Sequence, residues 1–281
     1  MQTIFRRHLA RTIVLGVAAA LIGCTSGGTP PASTSATPPR ATYSAAAPPA
    51  VAPAPEEDVL PAILRVSVQI AVERDGAPFR WGSGVVLGPR IVRGERECLV
   101  LTAGHTVDHL AAGDQVFASL DRDRPEAQKV RASVVAAQDG ANVDLAIVSI
   151  RNNTCRGASI GQSASLGAPV WVVGFPYGGE LTVARGIVSQ VSRADGSRPA
   201  SFTIDASTSH GSSGAGVFES RTGRLIGLVE AFGTARVQIR GQASESHIDI
   251  PMPGMTYVTP VSRIDDLLRG AGIAPLLIGR Q

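Results

Sequence analysis

Ser207-Thr208-Ser209-His210-Gly211-Ser212-Ser213-Gly214-Ala215-Gly216-Val217-Phe218 crowds glycine and hydroxyl residues around Ser213 and then turns apolar. Glycine lets a backbone turn tightly and approach a ligand closely. A serine on such a turn, with free N–H groups beside it, has the setting for attack on a carbonyl and for holding the resulting oxyanion. A Ser/Gly run by itself is an ordinary turn. Its meaning therefore depends on what lies upstream.

Two upstream stretches supply what a serine lacks. Val100-Leu101-Thr102-Ala103-Gly104-His105-Thr106-Val107 ends an apolar strand on a histidine, and Val143-Asp144-Leu145-Ala146-Ile147-Val148 opens an apolar strand with an aspartate. A hydroxyl is a poor nucleophile unless a base takes its proton during attack, and histidine titrates near neutrality. A buried carboxylate fixes the tautomer of that imidazole and stabilises its protonated form. Asp139 is the second-choice acid, because no strand is expected to bury it. His105 and His109 have the i, i+4 spacing of some zinc helices. No glutamate follows His105 and no third ligand is evident, so neither a metal nor a cofactor is expected.

Around these stretches the chain reads as short strands. Residues 63–72, 79–87, 98–102, 115–120, 129–136 and 145–150 form one set. Residues 170–173, 181–191, 201–204, 216–219, 225–229 and 255–259 form a second. Turn residues between short strands point to a sandwich or barrel rather than to βαβ units. Gly82 and Gly84 mark a bulge or bend within their strand. Residues 175–179 and 221–223 read as turns, and residues 233–253 as polar and irregular. Residues 260–270 read as a closing helix with Val261, Ile264, Leu267 and Leu268 on one face, Ser262 as N-cap and Gly270 at its end. Trp81 and Trp171 read as core or barrel-edge residues. His210 and His247 read as surface histidines, with His210 a candidate to line a cleft beside Ser213.

The order His105, Asp144, Ser213, with these flanks, resembles the chymotrypsin-fold (trypsin-like) serine proteases, and among them the bacterial Deg/HtrA-type branch. The family's Gly-Ser-Gly strand, Leu-Thr-x-x-His strand end, Asp-Leu-Ala strand start and Gly-x-Ser-Gly turn match residues 82–84, 101–105, 144–146 and 211–214. Residues 173–178, 186–189 and 254–260 resemble it as well, and the likeness covers roughly residues 60–270. The resemblance implies an all-β fold of two six-stranded antiparallel β-barrels, about 59–160 and 161–259, with a short C-terminal helix at about 260–270. It implies a serine endopeptidase that acts on proteins or peptides through an acyl-enzyme. Ser213 would be the nucleophile, His105 the base and Asp144 its orienting acid. The N–H groups of Gly211 and Ser213 would form the oxyanion hole. Uncharged Ser207, six residues before Ser213, would floor the first specificity pocket, with Phe232, Met255 and Thr256 as walls. That argues against a preference for Arg or Lys and for a small or medium apolar side chain.

Two departures stand out. Gly214-Ala215-Gly216 replaces the usual Gly-Gly-Pro, and Ala215 needs a negative φ to be harmless. Glu230 stands where the family often has a small hydroxyl residue near the catalytic aspartate. It is expected to turn towards the cleft or solvent, since an inward carboxylate would repel Asp144. The departures leave an alternative: a catalytically inactive trypsin-like domain that acts as a protein-binding module. The chain stops soon after the closing helix, so the peptide-binding PDZ module of many relatives is not expected.

The N-terminus carries an address. Arg6, Arg7 and Arg11 precede an uncharged, mostly apolar run over residues 12–22. Eleven residues are too few to span a bilayer as a helix, which takes about 20, and they fit the core of a signal peptide over residues 1–23. Leu21-Ile22-Gly23-Cys24 resembles the bacterial lipoprotein box, which implies cleavage before Cys24 and acylation of that residue. Residues 24–58 then form a linker rich in Pro, Ala, Ser and Thr, too poor in large apolar side chains to fold. An exported, lipid-anchored protein of the bacterial cell envelope is expected, held at a membrane through Cys24. The domain proper is residues 59–281. Its pair Cys98 and Cys155 suggests a disulfide in that compartment, two buried thiols being the alternative. The family topology puts both cysteines at the far ends of neighbouring strands, which implies that they are bonded. A net charge of +3, with three arginines in the signal and no basic stripe interleaved with aromatics, argues against nucleic acid.

Overall fold

Short apolar strands, several of them buried on both faces, form two sheets that close on themselves. In the computed structural model, which describes residues 59–122, 124–125, 127–140, 143–152, 155–162, 164–192, 201–239 and 246–273, each barrel has six strands. β1 (Ser67–Arg74), β2 (Ala77–Val92), β3 (Glu95–Thr102), β4 (Gln115–Leu120), β5 (Gln128–Gly140) and β6 (Val143–Ile150) close in the order β1-β2-β3-β6-β5-β4. β7 (Pro169–Gly174), β8 (Thr182–Ser192), β9 (Ser201–Ile204), β10 (Gly216–Glu219), β11 (Leu225–Ile239) and β12 (Ser246–Pro260) close in the order β10-β11-β12-β9-β8-β7. Read from β7, the second order repeats the first. This is the chymotrypsin-like pair of antiparallel barrels that the motifs imply. The signal, Cys24 and the linker lie outside the described residues.

Ile70, Leu99, Leu101, Leu145, Ile147 and Ile150, on both faces of the first barrel's sheet, are among the fully buried side chains. Each contributes about 1.5–3 kcal/mol relative to exposure. Val170, Val188, Phe202, Ile204, Val217 and Val258 fill the second. The closing helix, Ser262–Gly270, buries Val261, Ile264, Leu267 and Leu268 in the same apolar cluster as the first barrel, as its spacing foretells. It follows the second barrel yet packs against the first, and so clasps the two. Between barrels the chain runs along both: Ala158 N–H donates to Val86 O at 2.8 Å, and Gly161 N–H to Leu225 O at 2.7 Å. The expected disulfide is present between Cys98 on β3 and Cys155 beyond β6, with Cα atoms 6.2 Å apart.

The differences from expectation are local. Leu60–Val66 is a helix and not the start of a strand. Pro61 suits a first helical turn, and Ile63 and Val66 share its buried side, which outweighs their β propensity. Residues 234–239 and 246–251 pair as a hairpin that extends β11 and β12, where an irregular loop was expected. Ser262 makes no cap, because Val261 holds the N-cap position in a helical conformation. Gly270 is the last helical residue, and the left-handed φ of 66° falls at Gly272. The shifts in register on β2 lie at 78–80 and 86–88, with Gly88 at φ 135°, and not at Gly82 or Gly84.

Candidate active site

The first barrel brings a carboxylate and an imidazole together from two strand ends. β3 stops at Thr102, and Gly104–Val107 forms one helical turn that carries His105. Gly104 allows the approach: a Cβ there would lie 2.2 Å from Gln138 O and 2.9 Å from Asp144 Oδ1. Asp144, the second residue of β6, is buried. Its Oδ1 accepts the His105 backbone N–H at 2.8 Å, and its Oδ2 lies 2.5 Å from His105 Nδ1. An ionised carboxylate only accepts, so Nδ1 carries the proton and Nε2 is left as the basic nitrogen. The imidazole stays 44% exposed, open to a reactant. Asp139 does lie on a strand, against expectation, in register opposite Asp144 on β5. His109 lies beyond the helical turn at φ 45°, its Nε2 3.4 Å from Asp108 Oδ2, so the i, i+4 helical pair with His105 does not form.

The second barrel delivers backbone. Ser213 sits on the connection from β9 to β10, between Gly211 at φ 85° and Gly214 at φ 84°. The turn is tied by Ser212 N–H to Ser209 O at 3.0 Å, Ala215 N–H to Ser212 O at 2.8 Å and Gly214 N–H to Val229 O at 2.7 Å. Among the described residues, no acceptor takes the N–H of Gly211 or of Ser213. The departure at Ala215 is accommodated: it has no positive φ, is fully buried and packs where a Cβ on Gly174 would touch it at 2.6 Å.

Described contacts join His105 to Asp144 directly and the Ser213 turn to the His105 segment through Gly82, Ser83 and Thr106. A Cβ on Gly82 would lie 2.6 Å from Thr106 Cγ2 and 3.2 Å from Ser213 O. Ser83 N–H donates to Ser213 O at 2.7 Å, and its hydroxyl donates to Gly211 O and accepts from Phe175 N–H, both at 2.8 Å. Its carbonyl accepts from Thr102 Oγ1 at 2.7 Å. Ser83 is therefore the joint between barrels, a role hidden in the sequence behind the motif 82–84. The turn Pro176–Gly178 is a second missed support. Tyr177 N–H donates to His210 O at 2.6 Å, and Gln69 of the first barrel donates to Gly178 O at 2.7 Å.

The pocket residues gather beside the turn. Phe232 and Thr256 are cross-strand partners, and Met255 covers Gly233. Thr256 Oγ1 donates to Ala206 O and meets Thr208 Oγ1, each at 2.8 Å, which ties the segment carrying exposed Ser207 to β12. The His210 ring stands edge-on to Phe232 at 5.1 Å and lies 6.1 Å from Tyr177.

Glu230 does not turn to solvent. A bulge between Val229 and Ala231 leaves it without a ladder partner, and Thr259 Oγ1 donates to its Oε2 at 2.6 Å. Burial pushes its carboxyl above the ordinary range, the Thr259 bond opposes this, Asp144 pushes it further up and His105 draws it down.

The comparisons with known proteins agree with this fold. A family model described as the trypsin-like peptidase domain matches residues 82–228, just over half of the chain. Over 155 residues the chain is 35% identical to the peroxisomal leader peptide-processing protease of Mus musculus, which covers 53% of this chain and 25% of that protein. The chain thus spans about a quarter of that curated relative. The serine endoprotease from Yersinia pestis superposes with a TM-score of 0.57 at 19% identity, over 78% of this chain and 67% of that one. Deg5 superposes with a TM-score of 0.56 at 20% identity, over 73% and 88%. At such identities the two structures speak for the fold alone.

Proposed function

The chain belongs to the trypsin-like peptidase domain family, and from that premise we propose that it is a serine endopeptidase of envelope or extracellular proteins. The observation that carries the reading is the double hold of Asp144 on His105, through the backbone N–H and through Nδ1. That arrangement fixes a tautomer suited to general-base work. Ser213 Oγ attacks the scissile carbonyl while its proton passes to His105 Nε2. The oxyanion is held by the Gly211 and Ser213 N–H groups, each such donor being worth about 2.7–4 kcal/mol in the transition state. His105 then protonates the leaving amine, and water, deprotonated by the same nitrogen, hydrolyses the acyl-serine. Uncharged Ser207, with Phe232, Met255 and Thr256, supports a small or medium apolar side chain at the cleaved bond.

The second reading, an inactive domain that binds a protein partner, is kept open by the carboxyl of Glu230 beside Asp144. A fluorophosphonate probe separates the two. Labelling at Ser213 that disappears in Ser213→Ala is expected. A folded domain that never labels points to the binder. The address is a separate proposal resting on residues 1–24: export, cleavage before Cys24 and lipid anchoring in a bacterial envelope. Mass spectrometry of the mature N-terminal peptide should find an acylated Cys24. An intact signal or an unmodified Cys24 overturns it.

A further inference from the structure

Glu230 directly follows the residue of β11 that is bonded to the nucleophile turn. Val229, immediately before it, is bonded to both sides of Ser213: its carbonyl accepts from Gly214 N–H at 2.7 Å, and its N–H donates to Ala215 O at 2.9 Å. The ladder then slips, Val229 facing Val258 and Ala231 facing Tyr257, and Glu230 is the extra residue. A bulge of this kind re-aims one side chain out of the regular alternation. Thr259, from the neighbouring strand, fixes where it points. The charged groups that act on it are Asp144 and His105, both from the first barrel.

We propose that Glu230 is a positioning residue of the catalytic centre: its bulged carboxylate, held by Thr259, stabilises the imidazolium of His105 and sets the pH range in which His105 serves as a base. This rests on the protease reading above. The physical argument is reciprocity. His105 eases the ionisation of Glu230, so an ionised Glu230 must equally favour the protonated ring. During acylation the proton leaves Ser213 Oγ for Nε2, and the positive charge that forms then meets two carboxylates in place of one. Burial and Asp144 oppose the ionisation of Glu230, so on acidification this second charge is lost at a higher pH than that of an ordinary glutamate. Loss of that charge lowers the affinity of the ring for its proton.

The test is a pair of variants read by two independent measurements. In Glu230→Gln the amide keeps the Thr259 bond and loses the charge. The NMR titration midpoint of His105 should move to lower pH by roughly half a unit or more. The acid limb of kcat/KM on fluorogenic casein should move the same way. Its plateau should fall by about threefold, the equivalent of half a unit, with KM little changed. Thr259→Val removes the donor that favours the charge, so Glu230 stays protonated to higher pH, and the His105 midpoint and the acid limb should move to lower pH, the same way as in Glu230→Gln and by less. An unchanged His105 midpoint in folded Glu230→Gln overturns the proposal. If that variant does not fold, an unmoved limb in Thr259→Val does so. A midpoint that moves in a protein whose Ser213 never labels keeps the coupling and removes the protease reading. A Ser213 that labels with no movement of the midpoint does the reverse.

Discussion

The two barrels share one strand order but support the site by opposite means. The first contributes side chains at strand ends, His105 after β3 and Asp144 at the start of β6, locked to each other by two hydrogen bonds. A disulfide closes the far end of the same strands. The second contributes main chain: a turn between two left-handed glycines and a bulged strand beside it. An acid–base pair needs fixed side chains with defined electrostatics, which rigid strand ends provide. An oxyanion hole needs N–H groups that no carbonyl has claimed, which a regular ladder would consume. Substitutions should therefore act through chemistry in the first barrel and through backbone geometry in the second.

The largest effect expected is on the first barrel. In Asp144→Asn, the Oδ1 contact with the His105 N–H survives, while the partner of Nδ1 changes from a pure acceptor to a group that imposes the wrong tautomer. Turnover should fall by roughly ten-thousand-fold, with the urea midpoint little altered. A variant that loses fold and activity together would mean that the acid–base pair is structural. Gly211→Ala should give the next largest loss, with a different signature. Its φ of 85° is costly for alanine, and the new Cβ would meet Tyr177 N at 2.6 Å and Phe175 O at 2.8 Å. The turn must shift and carry one oxyanion donor with it. Roughly 100- to 1000-fold of kcat should go, together with about 1 kcal/mol or more of stability. If activity fell with stability untouched, the contrast between the barrels would fail.

Much of this contrast was legible before the coordinates. Histidine, aspartate and serine announce themselves through the apolar strands and glycines that flank them, and the barrel strands through their short apolar runs. What stayed hidden depended on contacts distant in sequence. Ser83 reads as one member of a Gly-Ser-Gly strand, and nothing local says that its hydroxyl will bridge Gly211 and Phe175. The paired stretches 234–239 and 246–251 have exposed Val237, Ile248 and Ile250 among polar residues, so their alternation does not look like that of a barrel strand with one buried face. The helix at Leu60–Val66 is a β-rich composition overruled by one proline and a shared buried face. Glu230, expected towards the cleft or solvent, is half-buried on a bulge with Thr259 as its donor, an unfavourable place for a carboxylate, and a bulge cannot be seen in one strand alone.

That unfavourable position gives the smallest effect and the sharpest difference between the two carboxylates. Asp144 has two donors from His105, whereas Glu230 has one hydroxyl and an acidic neighbour. The carboxyl of Glu230 is held above its ordinary range in the folded protein, while in the unfolded chain it titrates near 4.3 as a model glutamate does, to about a unit. The folded state therefore binds this proton more tightly. As pH rises from the ordinary carboxylate range through the raised value, the unfolded chain gives up its proton first, and the fold loses stability relative to it. Above the raised value the loss is complete and constant. Glu230→Gln, which has no proton to lose, should be more stable than the parent at pH 8, and the gap should vanish near pH 3.5, below the unfolded value of about 4.3. Urea midpoints at the two pH values measure it. Equal midpoints at both would mean that the carboxylate is fully solvated. The second barrel would then carry no unfavourable charge at its bulge, and the cost that offsets the proposed gain at His105 would be absent.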